Sequence, residues 1–206
     1  MKKVIAENIS AAILAGGENK RFDGVIKSNI IIGGSSIINR IINAISDIFS
    51  EIIIVTNTPD EFHICSNCRV VGDQYKKVGP LGGIHSAIKA STKKSVFVFA
   101  GDMPFVDKEI IMSQIEYFSS CNSEVLIPSV RGLDEPLHAI YSKSIYSKLD
   151  EYLASSTKLA IKDFLRIVKV SYMRLEDSEK TKRAFTNVNT QAGAEEASWQ
   201  NKNGFL

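Results

Sequence analysis

The sequence predicts an α/β fold in which a mostly parallel sheet carries helices on both faces. Three observations lead there. Residues 9–14 and 95–100 are apolar runs of the kind found in strands buried on both faces. Ile37, Ile38, Ile41, Ile42, Ile45, Ile48 and Phe49 recur at helical spacing between them. Strand-like runs then alternate with helical patterns through the first two-thirds of the chain, as expected of βαβ units.

Taken in order, residues 9–14 form the first strand and end at a glycine pair. The isoleucine-rich helix follows a cap region, Gly33-Gly34-Ser35-Ser36. Residues 51–56 and 68–71 read as the second and third strands. A helix over 81–91 opens at glycines, and Ser95-Val96-Phe97-Val98-Phe99-Ala100 is the fourth strand. Residues 107–119 form a helix with an acidic first turn, for which Asp107 is the better cap candidate, and 124–128 a strand. Beyond Arg131 the pattern loosens: a strand over 136–141, helices over 143–154 and 158–167, a strand over 168–174, and a charged link over 176–182. The residues after about Trp199 read as a polar, frayed tail.

Composition narrows the class. A chain of 206 residues fits one domain with a sizeable core, and no internal repeat or Pro/Ser linker divides it. A formal net charge of +2 gives no sign of a general nucleic-acid binder. No apolar run reaches membrane-spanning length, and Met1-Lys2-Lys3-Val4 opens no signal-type core, so the expectation is a cytoplasmic protein without a membrane partner. Three cysteines are too few for a disulfide framework. Cys65-Ser66-Asn67-Cys68 lacks the second pair a zinc site wants and precedes its strand, so it reads as an incidental surface feature.

The chemistry gathers in loops. Leu14-Ala15-Gly16-Gly17 is followed by Lys20, Arg21 and Lys27. Glycines let a backbone approach a ligand closely with its N–H groups turned inward, and cations answer negative charge. The spacing is neither a Walker A loop nor a dinucleotide fingerprint. A tight turn and a phosphate cradle both fit it. Ligands of open α/β sheets bind beyond the carboxyl ends of the strands. That rule brings Thr56-Asn57, Gly72-Asp73 and Gly101-Asp102-Met103-Pro104 to the same rim as the glycine pair. Asp102 follows an apolar strand and can hold Mg2+, which takes one or two protein carboxylates plus phosphate oxygens. Gly79-Pro80-Leu81-Gly82-Gly83 opens a helix and exposes amides at its positive end, or serves as a rigid contact between helix and sheet.

The string from Leu14 to Lys27 closely resembles the signature of nucleotidyltransferases that begin Leu-Ala-Gly-Gly, then Arg, a bulky apolar residue, Gly and, three residues on, Lys. Gly101-Asp102-Met103-Pro104-Phe105 resembles their metal-binding aspartate element. Asp134-Glu135-Pro136-Leu137-His138-Ala139-Ile140-Tyr141 resembles their acceptor-side strand. Phe185-Thr186-Asn187-Val188-Asn189-Thr190 resembles the ending typical of molybdenum cofactor guanylyltransferases, with Gln191 in place of the usual proline. The resemblance runs from Ile9 to Thr190.

It implies a Rossmann-like, nucleotide-diphospho-sugar transferase-like fold and transfer of GMP from GTP to the phosphate of molybdopterin cofactor, with Mg2+ as cofactor. Arg21, Lys27 and Asp102 would carry catalysis, Asp102 as the metal ligand. Leu14, Ala15, Gly16, Gly17, Lys27, Asn57, Asp73, Gly79, Pro80, Leu81, Gly82 and Asp102 would bind the nucleotide, although Asn57 or the backbone beside it could make the base contact. Glu135, Pro136, His138, Asn187 and Asn189 would bind the acceptor. Blandly read, Asn187 and Asn189 are turn formers and helix caps, and His138 is a core histidine. The single domain would divide into a nucleotide half, about 9–106, and an acceptor half, about 107–192, with 199–206 as the tail. Cofactor-biosynthesis proteins and acceptor molybdoenzymes are the partners such an enzyme would meet. The other readings are a related enzyme using CTP on the pterin or a nucleotide on a sugar phosphate, and a non-catalytic nucleotide-binding regulator.

Overall fold

The computed structural model describes residues 6–16, 21–22, 25–62, 68–157 and 159–188, with only the backbone described at 21, 22, 25–27 and 61. Strand β1 (Ile9–Leu14) leads to a two-residue ladder of β2 (Arg21–Phe22) with β3 (Val25–Ile26), a 3-10 turn over Lys27–Asn29, and a second small ladder of β4 (Ile31–Ile32) with β5 (Ser35–Ser36). Helix α1 (Ile37–Ile45) follows, then β6 (Ile52–Val55), β7 (Cys68–Val71), α2 (Pro80–Ala90), β8 (Ser95–Ala100) and α3 (Lys108–Ser120). The C-terminal part comprises β9 (Val125–Val130), β10 (Leu133–Asp134), β11 (His138–Ser142), α4 (Tyr146–Ser155), α5 (Ile161–Phe164), β12 (Val170–Arg174) and α6 (Glu179–Ala184).

The main sheet has eight strands in the order β10-β9-β11-β8-β1-β6-β7, with β12 pairing β9. β1 runs parallel to β6 and β8, β6 to β7, and β12 to β9. Only β10 and β11 run against that direction. The expected mostly parallel sheet is therefore what forms.

Every residue of β1, β6 and β8 is buried, because helices cover both faces. The pleat sends alternate side chains to opposite layers. Ala11, Ile13, Ile52, Ile54, Phe97 and Phe99 pack with α1 and α3, while Ala12, Leu14, Ile53, Val55, Val96 and Val98 pack with α2 and α4.

Local chemistry sets the ends. The Ser36 hydroxyl accepts from Asn39 N and caps α1. The helix stops at Ile45, short of the full periodic run, but Ile48 and Phe49 remain buried in the turn behind it. Asp107 caps α3, its Oδ1 accepting from Glu109 N at 2.9 Å and Ile110 N at 3.1 Å.

Three expectations are corrected. The charged link over 176–182 contains α6, because Ser178 caps it through Thr181 N and Thr181 and Ala184 bury one side at helical spacing. The helix over 158–167 is only a turn, Ile161–Phe164, continued as 3-10 over Leu165–Ile167. Cys68 is disulfide-bonded rather than an incidental surface thiol, while Cys121 is a free thiol. Residues 199–206 lie outside the described residues. No helix among the described residues is long and apolar enough to cross a membrane.

Candidate functional site

The carboxyl ends of β1, β6, β7 and β8 share one rim, and the close pairing of these strands fixes what stands there. Gly101 lies hard against the end of β1: its N–H donates to Leu14 O at 3.0 Å, and a Cβ on it would sit 2.6 Å from that same oxygen. No side chain fits without moving backbone. Asp102 is thereby delivered half-buried beside the loop that leaves Leu14, and its carbonyl accepts from Val188 N at 2.8 Å. Asp107 has the capping role, which leaves the Asp102 carboxylate at the rim.

Leu14 and Ala15 are buried at the mouth of that loop, and Ala15 N donates to Val55 O at 2.9 Å. Gly17 and Lys20 lie outside the described residues. The backbone places Arg21 opposite Ile26 in the β2–β3 ladder and Lys27 at the next turn, so both cationic positions belong to one short hairpin.

The flank expected to take the nucleotide is cross-tied. Asn57 Nδ2 donates to Asp73 Oδ2 at 2.9 Å, and Asp73 N donates to Asn57 Oδ1 at 3.1 Å. The Asn57 amide is thus spent on orienting Asp73. Gly82 clamps the intervening loop, since a Cβ there would meet Tyr75 O at 2.7 Å and Val78 Cγ2 at 2.8 Å. Pro80 and Leu81 open α2 directly behind Gly79. Beneath the loop, His85 Nε2 and the Tyr75 hydroxyl meet Asp150 Oδ1 at 2.8 and 3.1 Å. Burial lowers the His85 pKa, and the Asp150 contact partly opposes that shift.

The flank expected to take the acceptor arises from the reversed strand. β11 runs antiparallel to β8 with His138 opposite Phe99, so the residues just before β11 reach the rim where β8 ends. Glu135 stands there half-buried, Oε1 accepting from Leu137 N at 3.1 Å. Burial raises its carboxyl above the ordinary range; the Leu137 hydrogen bond opposes this, and the charge of Asp102 adds to it. Pro136 offers its carbonyl to the Tyr141 hydroxyl at 2.7 Å. Asn187 is exposed beside the Val188–Asp102 contact, and Asn189 lies outside the described residues.

His138 is placed inside, not on the acceptor surface. Its ring is wholly buried against Phe97, Phe99 and Phe185, with centroids 4.9–5.2 Å away. Neither ring nitrogen has a hydrogen-bond partner, and burial lowers its pKa to about 4.

The structure also brings in residues that sequence patterns did not single out. Tyr75, His85 and Asp150 are tied across 65 or more residues of chain, a separation that no local motif spans. Arg40 and Arg183, from two helices, both face the ring of Phe105. Of these, only Phe105 stood inside a motif, directly after Asp102-Met103-Pro104.

Residues 11–172 match the MobA-like NTP transferase domain. A protein of Natranaerobius thermophilus named probable molybdenum cofactor guanylyltransferase is 34% identical over 201 residues, covering 94% of this chain and 96% of its own. One of Carboxydothermus hydrogenoformans with the same name is 33% identical over 192 residues, covering 92% and 94%. Among solved structures, molybdopterin-guanine dinucleotide biosynthesis protein A of Archaeoglobus fulgidus superposes with a TM-score of 0.76 at 24% identity, over 94% of this chain and 98% of that one.

Proposed function

The chain belongs to the family of MobA-like NTP transferase domains, and on that premise we propose the reaction at its rim: transfer of GMP from GTP to the terminal phosphate of molybdopterin cofactor, with release of pyrophosphate. The observation that carries this reading is the packing of Gly101 on Leu14 and Ala15, which sets Asp102 beside the residues where the Leu14–Lys27 loop begins. Relatives named for guanylyl transfer to the molybdenum cofactor cover nearly the whole chain, so neither the cytidylyl or sugar-phosphate reading nor the regulator reading is favoured.

The chemistry needs no nucleophilic side chain. The attacking group is a phosphate monoester with a second pKa of about 6, mostly dianionic at neutral pH. One of its oxygens forms a bond to the α-phosphorus of GTP as the α–β bridging bond breaks, and pyrophosphate leaves with that electron pair. The protein's task is to bring two anions into line and offset their charge. Arg21 and Lys27, on one hairpin, neutralise the triphosphate, and the Gly16–Gly17 backbone approaches it. Asn57 positions Asp73 for the nucleoside, which lies along Gly79, Pro80, Leu81 and Gly82. Glu135, Pro136 and Asn187 serve the acceptor side, to which Asn189 is also assigned, while His138 supports the flank from within.

The residues suit a divalent cation, which we take to be Mg2+. Asp102 presents hard oxygen at the rim, and Glu135 is close enough to feel its charge. Such an ion takes one or two protein carboxylates and fills its other positions with phosphate oxygens and water. When bound, Mg2+ supplies positive charge at the reacting phosphates. The reading assigns the reaction to the cytoplasm, where cofactor-biosynthesis proteins and acceptor molybdoenzymes would meet the product.

The test is pyrophosphate release from GTP, CTP, ATP and UTP with Mg2+ and molybdopterin cofactor. GTP alone should give rapid release that depends on the acceptor. Faster turnover with CTP, or release with a sugar phosphate in place of the pterin, would overturn the assignment.

A further inference from the structure

A cleft of about 780 Å³ opens between α1, the segment after Asp102, and α6. Its size lies within the range of small-molecule sites. It flanks the rim on the sheet face covered by α1 and α3, opposite the face where α2 presents Gly79 and Pro80.

Its wall is built around Phe105. The guanidinium carbon of Arg183 lies 4.9 Å from the ring centroid and that of Arg40 lies 5.9 Å away. A cation held by an aromatic face keeps its charge. Arg40 is also anchored by Nη1 donating to Ile32 O at 3.0 Å, while its Nε is buried without a hydrogen-bond partner. A buried donor left unmet is unfavourable and calls for an explanation. The acids in this wall are already engaged: Asp107 caps α3 and lies 3.4 Å from Lys180, which also pairs with Glu109, and Glu179 pairs with Lys182. Asn43 adds an amide that can both donate and accept. Planar guanidinium forks match anionic oxygens in a way that a point charge does not.

The position decides the occupant. Phe105 is three residues beyond Asp102 on one continuous segment, so a ligand in the cleft is contiguous with the reacting rim. The nucleoside is assigned to the other sheet face. We propose that the Arg40–Phe105–Arg183 cleft holds the body of the acceptor, a nitrogen heterocycle carrying anionic groups, while its phosphate reaches Asp102. The two substrates then approach from opposite faces of the sheet and meet at its edge, which favours in-line attack. This rests on the guanylyl-transfer reading. It also crosses the division of the chain into halves, since α1 belongs to the part assigned to the nucleotide.

The experiment is steady-state kinetics on the full chain with GTP and molybdopterin cofactor varied separately, alongside pterin fluorescence to read acceptor binding without turnover. In Arg183→Ala and Arg183→Glu the KM and dissociation constant for the acceptor should rise by about tenfold or more, as loss of a charge-assisted contact predicts. KM for GTP should stay within about twofold. Arg40→Lys should show a smaller rise of the same kind, because one charge remains without the fork. Arg183 lies on an exposed helix position, so its variants should keep the wild-type melting temperature. Acceptor binding unchanged in folded Arg183→Glu, or a rise in both KM values alike, would overturn the cleft assignment while the wild type still turns over. Absence of turnover and of pterin binding in the wild type would instead overturn guanylyl transfer, and the cleft assignment with it.

Discussion

His85 and His138 are both wholly buried and both ringed by aromatic side chains, one under each flank of the rim. Their hydrogen bonding separates them. His85 Nε2 meets Asp150, which also receives the Tyr75 hydroxyl, so this ring joins α2 and α4 to the loop that follows Asp73. His138 has no partner on either nitrogen and is gripped only by Phe97, Phe99 and Phe185. A histidine's role in a core is therefore read from its partners, not from its depth. The nucleotide flank is held by polar ties that fix a loop; the acceptor flank is held by apolar packing under a reversed strand.

The largest effect should come where the flanks meet. Asp102→Ala and Lys27→Ala should each reduce turnover by about a hundredfold or more with the melting temperature preserved, since each acts through charge at the reaction centre. Pyrophosphate release and thermal unfolding on the same samples would show it, and near-normal turnover in either would break the assignment of roles. Next, Asp73→Ala should raise KM for GTP by about tenfold and leave KM for the acceptor unchanged, because it removes an oriented contact on one flank only. Equal changes in both constants would mean that the flanks are not separate.

The two histidines provide the finer contrast. His85→Leu takes from Asp150 its buried ring partner and leaves it only the Tyr75 hydroxyl, so it should cost about 1–3 kcal/mol in denaturant unfolding and raise KM for GTP a few-fold. His138→Leu removes no hydrogen bond of its ring and should cost less than about 1.5 kcal/mol with both KM values unchanged. A further signal, confined to one pH window, is in acid. The folded-state pKa of His138 is about 4, below the ordinary value of 6.5, so the folded protein binds fewer protons than the unfolded chain between those values. Its contribution is complete above about pH 6.5 and is lost at roughly 1.4 kcal/mol per pH unit as pH falls toward 4. Replacement by leucine should flatten that part of the stability–pH curve, and an unaltered slope would show that the ring is not held neutral.

Much of the nucleotide flank was legible in the chain because local patterns carry it. Apolar runs marked β1, β6 and β8, and the glycines at 16, 82 and 101 stood where backbones approach one another. Asp107 was legible as a cap and Asp102 as the carboxylate left over. The acceptor flank was less so. The direction of β11 has no local signature, and it is that direction which sets Glu135 beside Asp102 and turns His138 inward. α6 was hidden by its charges, because only the burial of Thr181 and Ala184 shows its apolar side.

By itself the sequence determined the layered α/β architecture and the order of the loops at the rim, and it named the candidate phosphate-binding and carboxylate groups. Each follows from patterning within a few turns of chain, where backbone and solvation preferences act. Only the tertiary structure decided which groups became neighbours: Asn57 with Asp73, His85 with Asp150, and Arg40 with Phe105 and Arg183. Those contacts join residues far apart in the chain, and they exist because burying both faces of one sheet forces distant helices to share its edges.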